Sequence, residues 1–101
     1  MSNDPFFRMK IEDVFSIRDR GTVAVGRIEQ GTLSPGDEVD IQGSGGSKRA
    51  VVTGVEMFHK LLNQAGVGDN VGVLLKDIGK DDLKRGDMLM GVGGGDFTWK
   101  P

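Results

Sequence analysis

Glycine recurs along the whole of this chain, and no stretch between the glycine clusters carries a long helical period. The seventeen glycines are spread rather than periodic, which excludes a collagen-like repeat and points to many short strands joined by turns. Between the turn signals lie six β-branched or aromatic runs at short, regular intervals. A chain of 101 residues built this way is one domain, closed as a barrel or packed as a sandwich; periodicity does not separate the two.

The composition excludes several classes of function. Thirteen basic and fifteen acidic residues leave a net charge of -2, which argues against nonspecific binding along a nucleic-acid backbone. It leaves open the docking of a single nucleotide or chain end in a pocket. The absence of cysteine removes disulfides, thiolate nucleophiles and Cys-based zinc sites. A single histidine, His59, removes a multi-His metal centre within one chain, so no metal or cofactor is expected. No apolar run approaches the roughly 18 residues of a membrane span. The opening MSNDPFFRMK has neither a basic n-region nor an apolar h-region, so the default is a cytoplasmic protein with no membrane partner.

Residues 1–7 form a polar lead, frayed until Phe6 and Phe7 dock. From Arg8, alternation puts Met9, Ile11, Phe15 and Ile17 on one face, with Arg8, Lys10, Glu12 and Ser16 on the other. Asp13 falls on the apolar face, where a carboxylate must be paired, line a cleft or mark a bulge that rotates the strand. Arg18-Asp19-Arg20-Gly21 then closes a hairpin with a loop of three to five residues. In Thr22–Glu29, Ala24, Gly26 and Ile28 share one face and Val23, Val25, Arg27 and Glu29 the other. Apolar groups on both faces near the turn suit a core on one side and a shallow pocket on the other.

Ser34-Pro35-Gly36-Asp37 has Pro and Gly where a type II turn wants them. Glu38–Gln42 is the next strand, with Val39 and Ile41 inward, and Gly43–Ser47 is a flexible loop tip. Lys48–Phe58 is the longest β-like run: Val51, Thr53, Val55 and Met57 on one face, Gly54, Glu56 and Phe58 on the other. His59–Gln64 reads as a short turn, Ala65–Asn70 as a loop and Asn70–Lys76 as an apolar strand. Lys80–Arg85 reads as a helical turn closed by Gly86, and Asp87–Met90 as the last strand. GVGGGDFTWKP reads as a mobile tail with Phe97 or Trp99 available to dock.

Three blocks, taken in order and spacing, carry a family resemblance. They are IEDVFSI with RGTV and GRIEQG, then TGVEMFHKLL, then GDNVGVLLKDI with LKRGDML. Together they cover roughly residues 8–90 and resemble the second domain of elongation factor Tu. The resemblance implies an all-β fold, a six-stranded closed Greek-key β-barrel of the translation-factor domain 2 type. The barrel would occupy residues 8–92 and stand alone between the lead 1–7 and the tail 93–101; the divergent tail argues for a natural chain end, and a domain cut from a full factor stays the alternative.

In that family one side of the barrel receives the terminal adenosine and attached amino acid of tRNA. By resemblance, Glu56 would meet a ribose hydroxyl and cover a base face, and Ile17, Val23 and Leu74 would wall the adenine. Glu12, Asp13, Phe15 and Asn70 match the aminoacyl pocket. His59 follows the EMF motif where the family usually has Arg, and Val25 stands where it usually has Thr. From the residues alone, Glu56 fits a solvated strand carboxylate as well, Asp13 a bulge or capping carboxylate, Ile17 and Leu74 core positions, and Asn70 turn chemistry.

No GxxxxGK[ST] phosphate loop occurs in these residues; GSGGSKR lacks the Gly-Lys-Ser/Thr ending, so nucleotide hydrolysis is not available to this chain. Glu12 and Asp13 point to opposite strand faces and do not form a paired acid and base. The expectation is a non-enzymatic module that binds a tRNA acceptor end or a ribosomal component. The alternative is a protein-interaction domain that keeps the barrel and docks a protein partner.

Overall fold

The structure, a computed structural model, describes residues 4–19, 21–43, 46–58 and 60–92. Arg20, His59 and the tail with Phe97 and Trp99 lie outside the described residues, and so do the expectations attached to them. Among the described residues nine strands follow in order: β1 (Arg8–Ile17), β2 (Gly21–Gln30), β3 (Thr32–Leu33), β4 (Glu38–Gly43), β5 (Gly46–Met57), β6 (Lys60–Leu61), β7 (Ala65–Gly66), β8 (Asn70–Lys76) and β9 (Met88–Gly91). A 3-10 turn, Lys80–Asp82, stands in the connection between β8 and β9. No helix among the described residues is long and apolar enough to cross a membrane.

Six strands close into a barrel in the order β1-β2-β8-β5-β4-β9, with β9 pairing back onto β1 and every pairing antiparallel. Consecutive barrel strands β4, β5 and β8 lie side by side and β9 returns beside β4, which is the Greek-key arrangement. These are the six strands read from the sequence, and closure gives each of them a neighbour on both sides. The short β6 extends β5 past Met57, and β3 pairs with β7 as a separate two-stranded ribbon.

Inside, Met9 and Ile11 of β1, Ala24 and Ile28 of β2, Val39 and Ile41 of β4, Val73 and Leu75 of β8 and Leu89 of β9 form one continuous core. Burying each of these side chains other than Ala24 contributes about 1.5–3 kcal/mol. Phe7 joins this core while Phe6 stays exposed. The Asp4 carboxylate holds the entry, accepting from the backbone N–H of Phe6 at 2.8 Å and of Thr32 at 2.9 Å.

Two β-bulges decide which residues face out. The register of β1 on β2 slips between Ile11, opposite Gly26, and Asp13, opposite Val25, leaving Glu12 as the extra residue. Of the three options for Asp13, the bulge is the one realised; its Oδ1 accepts the Val14 N–H at 2.9 Å. An extra residue reverses the alternation beyond it. Val14 therefore packs on the core, whereas Phe15 and Ile17 turn away from it. Placing Phe15 and Ile17 on the face of Met9 and Ile11 is thus corrected.

The same happens on β5, where Val52 faces Leu75 and Gly54 faces Leu74, with Thr53 left over. Before the bulge Ala50 and Val52 are the buried residues and Val51 is exposed; after it Val55 is buried and Met57 packs on the core. Grouping Val51 and Thr53 with Val55 fails for that reason. Glu56, by contrast, points outward as the sequence implied.

The connections reuse one device. Ser34–Asp37, Gly66–Asp69 and Lys84–Asp87 each carry glycine in the third position with φ of 97°, 92° and 92°, as a type II turn requires. In each, the closing aspartate's carboxylate also accepts the first residue's N–H, at 2.9, 2.9 and 3.0 Å. The predicted Ser34-Pro35-Gly36-Asp37 turn forms, closed by the Asp37 N–H on the Ser34 carbonyl at 3.1 Å.

Candidate functional site

The outer faces of β1, β2, β8 and β5 form a surface with two cross-strand rows. One row runs Phe15–Val23–Leu74–Gly54; the next runs Asp13–Val25–Gly72–Glu56. Both rows owe their outer ends to the bulges, since without them Phe15 and Glu56 would keep the inward phase of Ile11 and Val52. Val23 and Leu74 are 6% and 4% exposed, yet neither belongs to the barrel core. They form a second apolar layer outside it, with the Leu74 side chain lying over Gly54.

Beside this layer the surface dips. Gly72 lies between Val25 and Glu56 with no side chain of its own, and a Cβ there would come within 3.1 Å of Val23 Cγ1. The missing side chain helps open a hollow of about 620 Å³. Phe15, Ile17, Val23 and Val25 wall it on one side and Met57 and Phe58 on the other, with Glu56, Asn70 and Ser16 as its polar lining.

Glu56 is the one charged group among the described lining residues, and Asn70 adds an amide that both donates and accepts. No described side chain pairs with the Glu56 carboxylate. An apolar floor with one half-buried acceptor suits a neutral ring carrying hydroxyl or N–H donors. It does not suit a phosphate, which the carboxylate would repel.

The hollow thus brings together Phe15, Ile17, Val23, Glu56 and Asn70 from the residues singled out in the sequence. Leu74 supports Val23 from the side and does not line it. Asp13 opens instead into a neighbouring groove with Val14, Lys80 and Arg85, where Arg85 Nε stands 4.0 Å from Asp13 Oδ1. Glu12, the bulge residue, is exposed and lines neither.

Sequence reasoning missed Ser16, Met57, Phe58 and Gly72 as lining residues and treated Val25 only as a departure from a family pattern. Two of these carried a signal. Phe58 shares the outward phase of Glu56, and Gly72 shares that of Asn70 and Leu74.

A second recess, of about 480 Å³, lies at Ile41, Gly43, Lys48, Asp81, Asp82 and Asp87. Three of its four charged groups are already engaged. Lys48 Nζ is 3.1 Å from Asp82 Oδ1, and the Asp87 carboxylate caps its own turn. The Gly79 N–H, and after it Lys48, hold the Asp82 carboxyl below its ordinary value. Among the described residues no group of three or more His, Asp or Glu is placed to hold a metal ion.

The family described as Elongation factor Tu domain 2 matches residues 21–90, well over half of the chain. The chain belongs to that family. The match covers β2 through Met90 of β9 and takes in Val23, Glu56, Asn70 and Leu74. Glu12, Asp13, Phe15 and Ile17 lie on the strand that precedes the matched span. As an elongation factor Tu domain 2, the chain has the closed barrel that its resemblance implied, with the hollow on the outer face of β2 and β8.

Proposed function

We propose that this domain is a non-catalytic binding module of translation, acting in the cytoplasm, whose outer hollow receives the terminal adenosine and attached amino acid of an aminoacyl-tRNA. The observation that carries the reading is the hollow itself: an apolar floor at Val23, Val25 and Gly72 with the Glu56 carboxylate beside it. An adenine can lie on such a floor while a ribose hydroxyl donates to Glu56. Phe15 of β1 and Asn70 of β8 are then left to face the aminoacyl group.

The recess is shallow, and small contacts must offset the entropy of association. The barrel by itself is expected to bind at ~mM to high-µM concentrations. Calorimetry with 3′-aminoacyl-adenosine analogues tests this. Binding that is lost in Glu56→Ala and kept in a surface control such as Lys60→Ala supports it. Equal binding by wild type and Glu56→Ala contradicts it.

A second reading has one observation in its favour. Phe15, Phe58 and Leu61 around the hollow are 51%, 85% and 69% exposed, a group of large apolar side chains gathered in one place. A protein partner docked there would bury these side chains and be indifferent to nucleoside analogues.

A further inference from the structure

Beside the hollow, the next cross-strand row on the outer face runs Lys10–Arg27–Asn70, and it carries two cations side by side. Lys10 and Arg27 alternate with the buried Met9, Ile11, Gly26 and Ile28, so both side chains point outward and are exposed. They face each other across β1 and β2 with Cβ atoms roughly 4.5–5.5 Å apart, an arrangement that destabilises a sheet when the charges are alike. The neighbouring carboxylates do not relieve it. Glu29 pairs with Arg8 at 3.3 Å, and Asp13 stands 4.0 Å from Arg85. Among the described residues no carboxylate pairs with Lys10 or Arg27. On the β5 side, by contrast, the hollow ends on the apolar groups of Met57 and Phe58, the latter with a backbone φ of 53°.

We infer that Lys10 and Arg27 make the site selective for an acidic aminoacyl group, an aspartyl or glutamyl residue whose side-chain carboxylate passes Asn70 and meets the two cations. This rests on the proposed function and names the class of amino acid that the site takes. Asn70 lines the hollow and is the direct cross-strand partner of Arg27, so the step from the hollow to the cations is one strand spacing, about 4.8 Å. A guanidinium and an ammonium side by side can both serve one carboxylate, the first through two parallel N–H donors. The bound carboxylate then relieves the repulsion within the row. A neutral side chain of the same shape relieves nothing, and a lysyl side chain brings a third cation. Glu56, on β5, stands two strands from Arg27 and remains free for the ribose.

The test is calorimetry at low salt with 3′-amino-3′-deoxyadenosine carrying a glutamyl, glutaminyl or lysyl group through a stable amide. The α-ammonium is common to all three analogues and drops out of the comparison. Wild type is expected to bind the glutamyl analogue about fivefold tighter than the glutaminyl one, the scale of exposed ion pairs, and the lysyl analogue most weakly. The glutamyl gain shrinks as salt is raised. In the double variant Lys10→Gln, Arg27→Gln the glutamyl and glutaminyl analogues are expected to bind alike; both positions are exposed, so the fold tolerates the change. Equal affinity for these two analogues on wild type overturns the inference and leaves the nucleoside reading standing. A glutamyl preference that survives in the double variant also overturns it, because another group then supplies the charge. So does loss of all three analogues in that variant, which would make the cations part of the general site. Binding of no analogue by wild type overturns the proposed function and the inference together.

Discussion

Substituting Gly26 by alanine probes the bulge that turns Phe15 and Ile17 outward. Gly26 faces Ile11 at the last regular pair before the slip. A Cβ on Gly26 would lie 2.2 Å from the Lys10 carbonyl oxygen and 3.2 Å from Met9 Cγ. An ordinary contact begins near 3.4 Å, so the Lys10 carbonyl would have to retreat by about 1.2 Å, the difference of 3.4 and 2.2. That oxygen belongs to the backbone of a paired strand, not to the end of a flexible side chain. Overpacking ordinarily costs about 1–3 kcal/mol, and a backbone obstacle puts this case at the upper end.

The entropy recovered on replacing glycine is about 0.5–1 kcal/mol, leaving a net loss of about 2–2.5 kcal/mol. Urea denaturation should show the midpoint fall with little change in slope. A thermal melt should fall by about 10–20 °C for a domain of this size. Amide shifts should move along Asp13–Ile17, because β1 must lift from β2 there. Stability within about 0.5 kcal/mol of wild type would refute the close approach on which this account of the bulge rests.

Three further outcomes follow from the same structure. Gly72→Ala, whose Cβ meets only the Val23 methyl at 3.1 Å, should stay within about 0.5 kcal/mol of wild type in urea yet weaken nucleoside binding by raising the floor. Unchanged affinity would remove Gly72 from the site. Asp87→Ala should cost about 1.5–3 kcal/mol, because it strips a buried carboxylate from the Lys84 N–H; a loss below 0.5 kcal/mol on the ~1 kcal/mol scale of neutral bonds would contradict that cap. Asp82 has a depressed folded pKa, so its contribution is complete above the ordinary value of 3.8 and is lost as pH falls through the lower folded value. An NMR titration of the Gly79 amide should give a midpoint below 3.8, moved up only in part by Lys48→Ala, since the Gly79 N–H is the larger cause. A midpoint at or above 3.8 would contradict the assignment.

The strands were legible because their turn chemistry is local. Pro35-Gly36 sets φ in its own turn whatever surrounds it, and Val39 and Ile41 alternate without interruption into the core. The direction of the site residues was less legible. Alternation carries its phase straight through a bulge, so Phe15 and Ile17 read as sharing the face of Ile11 and Val51 as sharing that of Val55, although β1 and β5 each hold one unpaired residue. Asp13 was the warning on β1, a carboxylate in an apolar phase. On β5, Val51 beside Val52 gives alternation nothing to choose between. The two-residue strands β3, β6 and β7 are too short to show a period, which is why their residues read as loop and turn. The Phe58 backbone conformation has no signature in residue type, since phenylalanine is among the last residues expected there.

The central claim is that the outer hollow takes the aminoacylated end of a tRNA. It is tested most directly by titrating isotope-labelled protein at low salt with acceptor-stem mimics, aminoacylated and uncharged. The account predicts shifts at Ile17, Val23, Glu56 and Gly72 with both mimics, further shifts at Phe15 and Asn70 with the aminoacylated one, and none of these in Glu56→Ala. No shift around the hollow at millimolar ligand, or shifts that persist in Glu56→Ala, would contradict it.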